Sequence, residues 1–400
     1  MNFDRMRALL LERAIRGELV PQLTEDGSIE QVGNGRGLFD IPKSWGWFEF
    51  SKVVKTLSSR GNQIPAKEIC ERGRFPVVTQ SKNSLIDGYS EEESKLVPKA
   101  FLPLLVFGDH TRFLKYVDFQ FIVGADGTKL IRPKDDGFVN CSYLYYVLRA
   151  LVPETKDRGY SRHFQFLKKL MIPVPPIHEQ CRIVDRVEEL LSEINRAEKA
   201  YEELQTLAGV LRGQILQEAI QGKLVPQLAE EGVVKQIGAT QDEVPFKIPE
   251  SWKWVKLKSV FSMQAGKFIS ASSIQPEGRF PCYGGNGLRG YVDISNRKGR
   301  FPLIGRQGAL CGNVHVVDGE FYATEHAVVV DCGEYGDPDC VGLFLEAMNL
   351  NQYATATAQP GLSVKKIIEL PFPLPPKDEQ ARIVSRVKDL MKQVDALSAR

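Results

Sequence analysis

The stretch His178–Leu224 reads HEQCRIVDRVEELLSEINRAEKAYEELQTLAGVLRGQILQEAIQGKL. Its apolar residues fall at Ile183, Val187, Leu190, Ile194, Ala197, Tyr201, Leu204, Ala208, Leu211 and Ile215, in steps that alternate four and three. That is the 3.5-residue period of a coiled-coil seam. Proline is absent, and Gly209 and Gly213 lie off the seam. The pattern predicts one long helix over 177–224. At ~1.5 Å per residue it would be a rod of roughly 60 Å, too long for one compact domain to wrap, so it needs a partner helix.

The chain carries that partner in two pieces. DEQARIVSRVKDLMKQVDAL near the C-terminus, with Ile383, Val387, Leu390, Val394 and Leu397, repeats the first half of the rod. LLERAIRGELVPQL from Leu10 repeats ILQEAIQGKLVPQL from Ile215 in the second half. The last and first helices together equal one central helix cut in two. They are expected to lie antiparallel beside the rod, with Phe3, Met6 and Leu10 continuing the seam and Gly17 stopping the first helix.

Between the rods the sequence is duplicated at a spacing near 200 residues. IPKSWGWFEFSKV from Ile41 matches IPESWKWVKLKSV from Ile248, and RFPVVTQSKNSLIDGYS from Arg74 matches RFPCYGGNGLRGYVD from Arg279. Helical patterns follow at Cys141 and Cys340, then proline runs that end in Pro175–Pro176 and Pro375–Pro376. The alternation around Trp45 and Trp47 predicts a strand, with the tryptophans anchoring the start of each domain. The fold class expected is α+β: two similar mixed domains separated by long antiparallel helices, with a pseudo-twofold internal repeat. The expected segments are an N-terminal helix 1–23, a first domain 24–176, the central helix 177–224, a second domain 225–376 and a C-terminal helix 377–400. GNGRG at 33–37 reads as a linker, because no strand precedes it and no helix follows.

A chain of 400 residues with 43% hydrophobic content can bury more than one core. Without a run of eighteen apolar residues no membrane span is expected, and the N-terminus lacks a secretory pattern. Seven cysteines with no Cys-x-x-Cys pair fit reduced thiols in a cytoplasm. The net charge of +2 hides an acidic rod and more basic segments between the rods.

Catalytic motifs are not found. There is no phosphate-binding Gly-x-x-x-x-Gly-Lys-Ser/Thr loop and no Asn/Asp-Pro-Pro-aromatic element of a base methyltransferase. The histidines His110, His163, His178, His315 and His326 have no metal spacing, and Glu325–His326 lacks the second histidine of a zinc protease. Cys282 and Cys311 have no assignable base. No metal or catalytic residue is assigned. What remains is binding. The frame residues agree between the two copies, while the polar turns differ, as two readers of two targets would. Base reading needs Arg or Lys for guanine and Asn or Gln for adenine. The candidates are Gln80, Lys82, Asn83, His110, Thr111 and Arg112 in the first copy. In the second they are Lys267, Asn286, Arg289, Arg306 and Gln307. A scaffold with two protein- or glycan-binding domains and no DNA role is the alternative, supported by the modest net charge.

The layout resembles the specificity subunits of type I restriction–modification systems. The residues that carry the resemblance are IPVPPIHEQCRIVDRV at Ile172–Val187, LPFPLPPKDEQARIVSRV at Leu370–Val387, and the repeated Ala-Ile-x-Gly-x-Leu-Val-Pro-Gln-Leu at Ala14 and Ala219. The resemblance implies two target recognition domains that each read half of a bipartite, asymmetric double-stranded DNA site. It implies helices that set the spacer and dock two methyltransferase (modification) subunits through Ile183, Val187, Leu190, Ile194, Leu204, Leu211, Ile383, Val387 and Leu390. Motor–nuclease (restriction) subunits would join them, forming a site-specific deoxyribonuclease and adenine methyltransferase. S-adenosylmethionine, ATP and magnesium would belong to those partners, and this chain would be a non-catalytic subunit. The last helix is shorter than the family pattern, ending at Arg400.

Overall fold

A computed structural model describes residues 1–30, 37–124, 127–152, 162–238, 244–308, 310–355 and 360–398. All of the GNGRG segment except Gly37, and Arg400, lie outside the described residues. The chain divides into two compact units, Met1–Ala200 and Tyr201–Arg400. The division falls inside the long helix, so each half of the rod is part of a unit.

Unit 1 begins with α1 (Phe3–Ile15), then β1 (Gly46–Glu49), α2 (Phe50–Val53), β2 (Val54–Leu57) and β3 (Gln63–Ile64). It continues with β4 (Phe75–Val78), β5 (Gly88–Ser90), β6 (Leu104–Gly108), β7 (Leu114–Val117), β8 (Ile122–Gly124) and β9 (Thr128–Pro133). It closes with α3 (Cys141–Leu151), α4 (Phe164–Leu167), β10 (Met171–Val174) and the start of α5 (Ile177–Ile220). Unit 2 takes up the second half of α5, then β11 (Lys253–Lys256), α6 (Leu257–Val260), β12 (Ser262–Ala265), β13 (Phe280–Gly284) and β14 (Gly287–Val292). Next come β15 (Arg297–Lys298), β16 (Phe301–Gly305), β17 (Val314–Val317), β18 (Glu320–Ala323) and β19 (Ala327–Asp331). The unit ends with α7 (Pro338–Ala347), α8 (Val364–Ile367), β20 (Pro371–Leu374) and α9 (Lys377–Ser398).

The expected duplication holds in topology and register. Sheet β2-β9-β6-β7 has the same order as β12-β19-β16-β17. The strands β6 and β19 are buried almost throughout, which is why they read as continuous apolar runs. A second sheet, β3-β8-β4-β5 or β14-β13-β18-β15, mixes parallel and antiparallel pairs. A two-stranded ribbon pairs Trp47 with Pro173 in unit 1 and Trp254 with Pro373 in unit 2. Proline is tolerated there because the ribbon is all edge. Trp45 and Trp252 are buried, as anchors should be.

Each helix that packs on the main sheet is capped as its sequence dictates. Asn140 accepts from Ser142 N at 2.8 Å and Tyr143 N at 3.1 Å to start α3, which buries Tyr143, Leu144, Val147, Leu148 and Leu151. Asp337 accepts from Cys340 N at 3.0 Å to start α7. These caps satisfy helix N–H groups that would otherwise be orphaned.

The long helix is real, but its covered stripe differs from the expected seam. Ile183, Val187, Ala208 and Ile215 are buried, and Leu190, Ile194 and Leu204 are half-buried. Ala197 and Leu211 are exposed, while the neighbouring Glu198 and Arg212 are half-buried, as is Gln205 beside Leu204. These polar residues make the helix contacts: Arg7 pairs with Glu198, Gln205 Nε2 donates to Ser398 O at 2.9 Å, and Arg212 meets Asp395 at 2.6 Å. On α1 the same slip exposes Met6 and covers Arg7. The pairings Arg7–Glu198 and Gln22–Glu179 run α1 antiparallel to the first half of α5; Ser398–Gln205 and Asp395–Arg212 do the same for α9 and the second half. Ile383 and Val387 on α9 are buried and Leu390 is half-buried.

The helix ends at Ile220, before the expected Leu224. Gly222 has φ +70°, and Gly222 N and Lys223 N close on the carbonyls of Ala219 at 3.0 Å and Glu218 at 2.9 Å. That is a Schellman stop. Gly17 does the same for α1. A Cβ at Gly222 would lie 2.5 Å from Pro249 Cγ and 3.1 Å from Trp252 Cζ2. Gly222→Ala therefore combines a left-handed backbone with a collision, and is expected to cost roughly 2–4 kcal/mol in urea denaturation. Gly232→Ala is the control: φ is +74° and nothing lies within 4 Å, so only about 1–2 kcal/mol is expected. Equal losses would mean that the glycine does not seat the Pro–Trp segment.

Candidate nucleic-acid interface

The duplicated Glu-Gln at the start of each rod is the buried polar hub of its unit. Gln180 accepts from Asn140 N at 2.8 Å and donates to Phe138 O at 2.9 Å and Pro175 O at 2.8 Å. Gln380 accepts from Asp337 N at 2.6 Å and donates to Tyr335 O at 2.9 Å and Pro375 O at 3.0 Å. Glu179 receives Gln22 Nε2 at 3.0 Å, and Glu379 receives Gln227 Nε2 at 2.6 Å and Trp252 Nε1 at 2.9 Å. Burial pushes both carboxyls above the usual carboxylate range, against the pull of those donors. Arg182 holds Asp26 and Arg382 holds Glu231, each at 2.5 Å. The hub locks the helix, the Val-Pro-Gln-Leu strap and the α3 or α7 N-terminus into one frame. The sequence marked these residues as a motif, and the structure gives them a structural role.

The frame presents the divergent turns. In unit 1 the loop between β4 and β5 is organised by Asp87. It accepts from Thr79 N at 2.7 Å, Lys115 Nζ at 2.7 Å and Ser84 Oγ at 3.1 Å. Burial alone would raise the Asp87 carboxyl, but Lys115 and the Thr79 N–H outweigh it and hold it below its ordinary range. Lys82 and Asn83 stand exposed on this braced loop. Gln80, His110 and Thr111 come together beside it: Thr111 Oγ1 donates to Gln80 O at 2.7 Å, and His110 N to Gln80 Oε1 at 3.2 Å. Arg112 is placed differently. Its φ is +60°, and its guanidinium donates to Val152 O at 3.3 Å, just beyond α3, so it secures a turn.

In unit 2 the β13–β14 hairpin turns at Gly285–Asn286, with Gly287 at φ +90°. A Cβ at Gly285 would lie 3.1 Å from His326 O and 3.4 Å from Gln307 O. Arg306 N donates to His326 O at 2.9 Å, and Lys267 N to Ala323 O at 3.0 Å. Arg289 lies over Gly284, and Lys267, Asn286, Arg289 and Gln307 are exposed while Arg306 is half-buried. The backbones of Gly285, Arg306 and Lys267 thus pack against the turn segment Ala323–His326. Sequence reasoning missed that turn, because it weighed Glu325–His326 only as a metal motif. The signal available was position: the turn follows the second Val-Asp of the repeat, across from the variable loops.

Some frame cations are paired, as in Arg300 with Asp318 and Asp339, and Lys258 with Glu369. Among the described residues Lys82, Lys267, Arg289 and Arg306 form no ion pair. Unpaired cations beside hydrogen-bonding amides are what phosphate and base contacts require. Burial disfavours the thiolate at three of the buried cysteines: it pushes Cys141 and Cys332 up to about 12, and raises Cys282. Among the described residues no group of three His, Cys, Asp or Glu could hold a metal ion, and no helix is long and apolar enough to cross a membrane.

Residues 42–205 and 249–400 match the family model described as the type I restriction modification DNA specificity domain. The chain is 48% identical over 133 residues to the specificity subunit of the Escherichia coli type I restriction enzyme EcoprrI, covering 32% of this chain and 33% of that protein. The match thus spans about a third of that curated relative's length. The fold is similar to the HsdS subunit from Thermoanaerobacter tengcongensis, with TM-score 0.55 and 17% identity over 90% of this chain and 92% of that one. It is also similar to a chain solved in work on complex assembly of the type I R-M system, with TM-score 0.67 and 17% identity over 90% and 93% of the two chains.

Proposed function

We propose, from a chain that belongs to the type I restriction–modification DNA specificity family, that each unit reads one half of a bipartite, asymmetric site on double-stranded DNA. Exposed cations capture phosphates, and the tips at Lys82–Asn83 and Asn286–Arg289 meet base edges. The helix α5, flanked by α1 and α9, sets the spacer and offers docking surfaces to two methyltransferase subunits, which motor–nuclease subunits join. S-adenosylmethionine, ATP and magnesium act in those partners; this chain supplies address and distance, and breaks no bonds. The observation that carries the reading is one shared frame, built twice, that presents exposed and divergent polar turns.

The test is selection from a randomised duplex library by the purified full-length chain at low salt. Two short specified tracts with a fixed unspecified gap are expected, about one helical turn apart centre to centre. A single continuous tract would contradict the two-reader reading. Failure to retain DNA at all would favour a scaffold with protein- or glycan-binding domains.

A further inference from the structure

The reading hairpins of the two units differ in their turns and agree at one apolar position. Their registers match: Pro76 pairs with Tyr89 in unit 1, and Pro281 with Tyr291 in unit 2. Ile86 and Leu288 therefore occupy the same place, each two residues before the return-strand glycine, Gly88 or Gly290. Both side chains are open to solvent, Ile86 by 36% and Leu288 by 52%. Both are held from behind. Asp87, next to Ile86, accepts from Thr79 N and Lys115 Nζ, and its own N–H donates to Val77 O at 2.8 Å. Leu288 pairs with Tyr283, whose ring meets Phe321 edge-on with centroids 5.8 Å apart. Exposed Lys82 and Asn83 precede Ile86, and exposed Asn286 and Arg289 flank Leu288.

A lone exposed apolar residue is ordinary on a protein surface. Here one recurs at the same frame position in both units, although the polar residues around it change. Much of each side chain stays in water, so burial within its own unit does not account for it. On the major-groove edges of the four bases one group is apolar, the C5-methyl of thymine, and the minor groove offers none. We propose that Ile86 and Leu288 are specificity-determining residues, each meeting the C5-methyl group of one thymine in the half-site that its unit reads. The neighbouring amides and cations supply the hydrogen bonds; the aliphatic side chain supplies the contact that they lack. The proposal rests on the DNA-reading function proposed above and gives each half-site a base.

The test takes the duplex selected by wild type and replaces its thymines one at a time by deoxyuridine, which loses the methyl group and keeps every hydrogen-bonding atom. One thymine in each half-site should show a penalty of about three- to fivefold in affinity, the worth of one buried methyl group. Leu288→Ala and Ile86→Ala should each abolish one of the two penalties, and a different one. The penalty that survives in each variant reports that it is folded and bound. Leu288→Met and Ile86→Val keep an apolar end and should retain both penalties. A half-site without thymine, or alanine variants that weaken binding to every duplex while both penalties persist, overturns the proposal. If wild type selects no sequence, the DNA-reading function falls and this inference falls with it; if wild type selects two tracts but tolerates uridine throughout, only the inference falls.

Discussion

Gln380→Ala should lower the stability of unit 2 by roughly 3–6 kcal/mol in urea denaturation. The side chain is 1% exposed and serves Asp337 N, Tyr335 O and Pro375 O at once. Removing it strands the buried Pro375 O and the part-buried Asp337 N and Tyr335 O, each worth roughly 1–3 kcal/mol when unmet, the part-buried ones at the low end. Asp337 is also the N-cap of α7, so the loss reaches the helix that packs on the main sheet. Gln180→Ala should do the same in unit 1 through Phe138, Asn140 and Pro175. Gln380→Glu keeps the acceptor and loses the donor, so it should retain the bond from Asp337 N and lose the other two. A loss below about 1 kcal/mol for Gln380→Ala would mean that water replaces the amide, and that the hub is not what holds the frame.

Lys115→Met is expected to cost unit 1 roughly 3–5 kcal/mol, because it leaves the Asp87 carboxylate buried without its partner. The two side chains are 3% and 9% exposed and 2.7 Å apart. Replacing both, as Lys115→Met with Asp87→Leu, should recover part of the loss. The cost of Lys115→Met depends on pH in a defined direction. Asp87 is held below its ordinary value, so its contribution is present above the normal carboxylate range and disappears as pH falls through the depressed one. The gap between wild type and Lys115→Met should therefore narrow in acid. Because Asp87 also fixes Thr79 and Ser84, the same variant should loosen the Lys82–Asn83 tip. A gap that widens in acid would show that the pair is not ionised.

Much of this architecture is legible in the chain, because burial follows simple periods. The 44-residue α5 announces itself by its heptads, and the duplicated Ile-Pro-x-Ser-Trp and Pro-Pro-x-x-Glu-Gln segments fix the two units in register. What the pattern could not carry was the slip from Ala197 and Leu211 to Glu198 and Arg212. Hydrophobicity alone would never choose a glutamate and an arginine for a half-buried face; the ion pairs to Arg7 and Asp395 do. The same limit explains the tips. Lys82, Asn83, Lys267, Asn286, Arg289 and Gln307 are exposed as polar turn residues should be. Arg112 was indistinguishable from them in sequence, since its bond to Val152 O depends on a left-handed backbone and a helix end forty residues away.

The helix as ruler is tested by inserting four residues after Gln205 in α5 and repeating the duplex selection. The unspecified gap should lengthen while both selected tracts keep their bases. A gap that stays the same, or a half-site whose bases change, would contradict the division of labour between tips that read and a helix that measures.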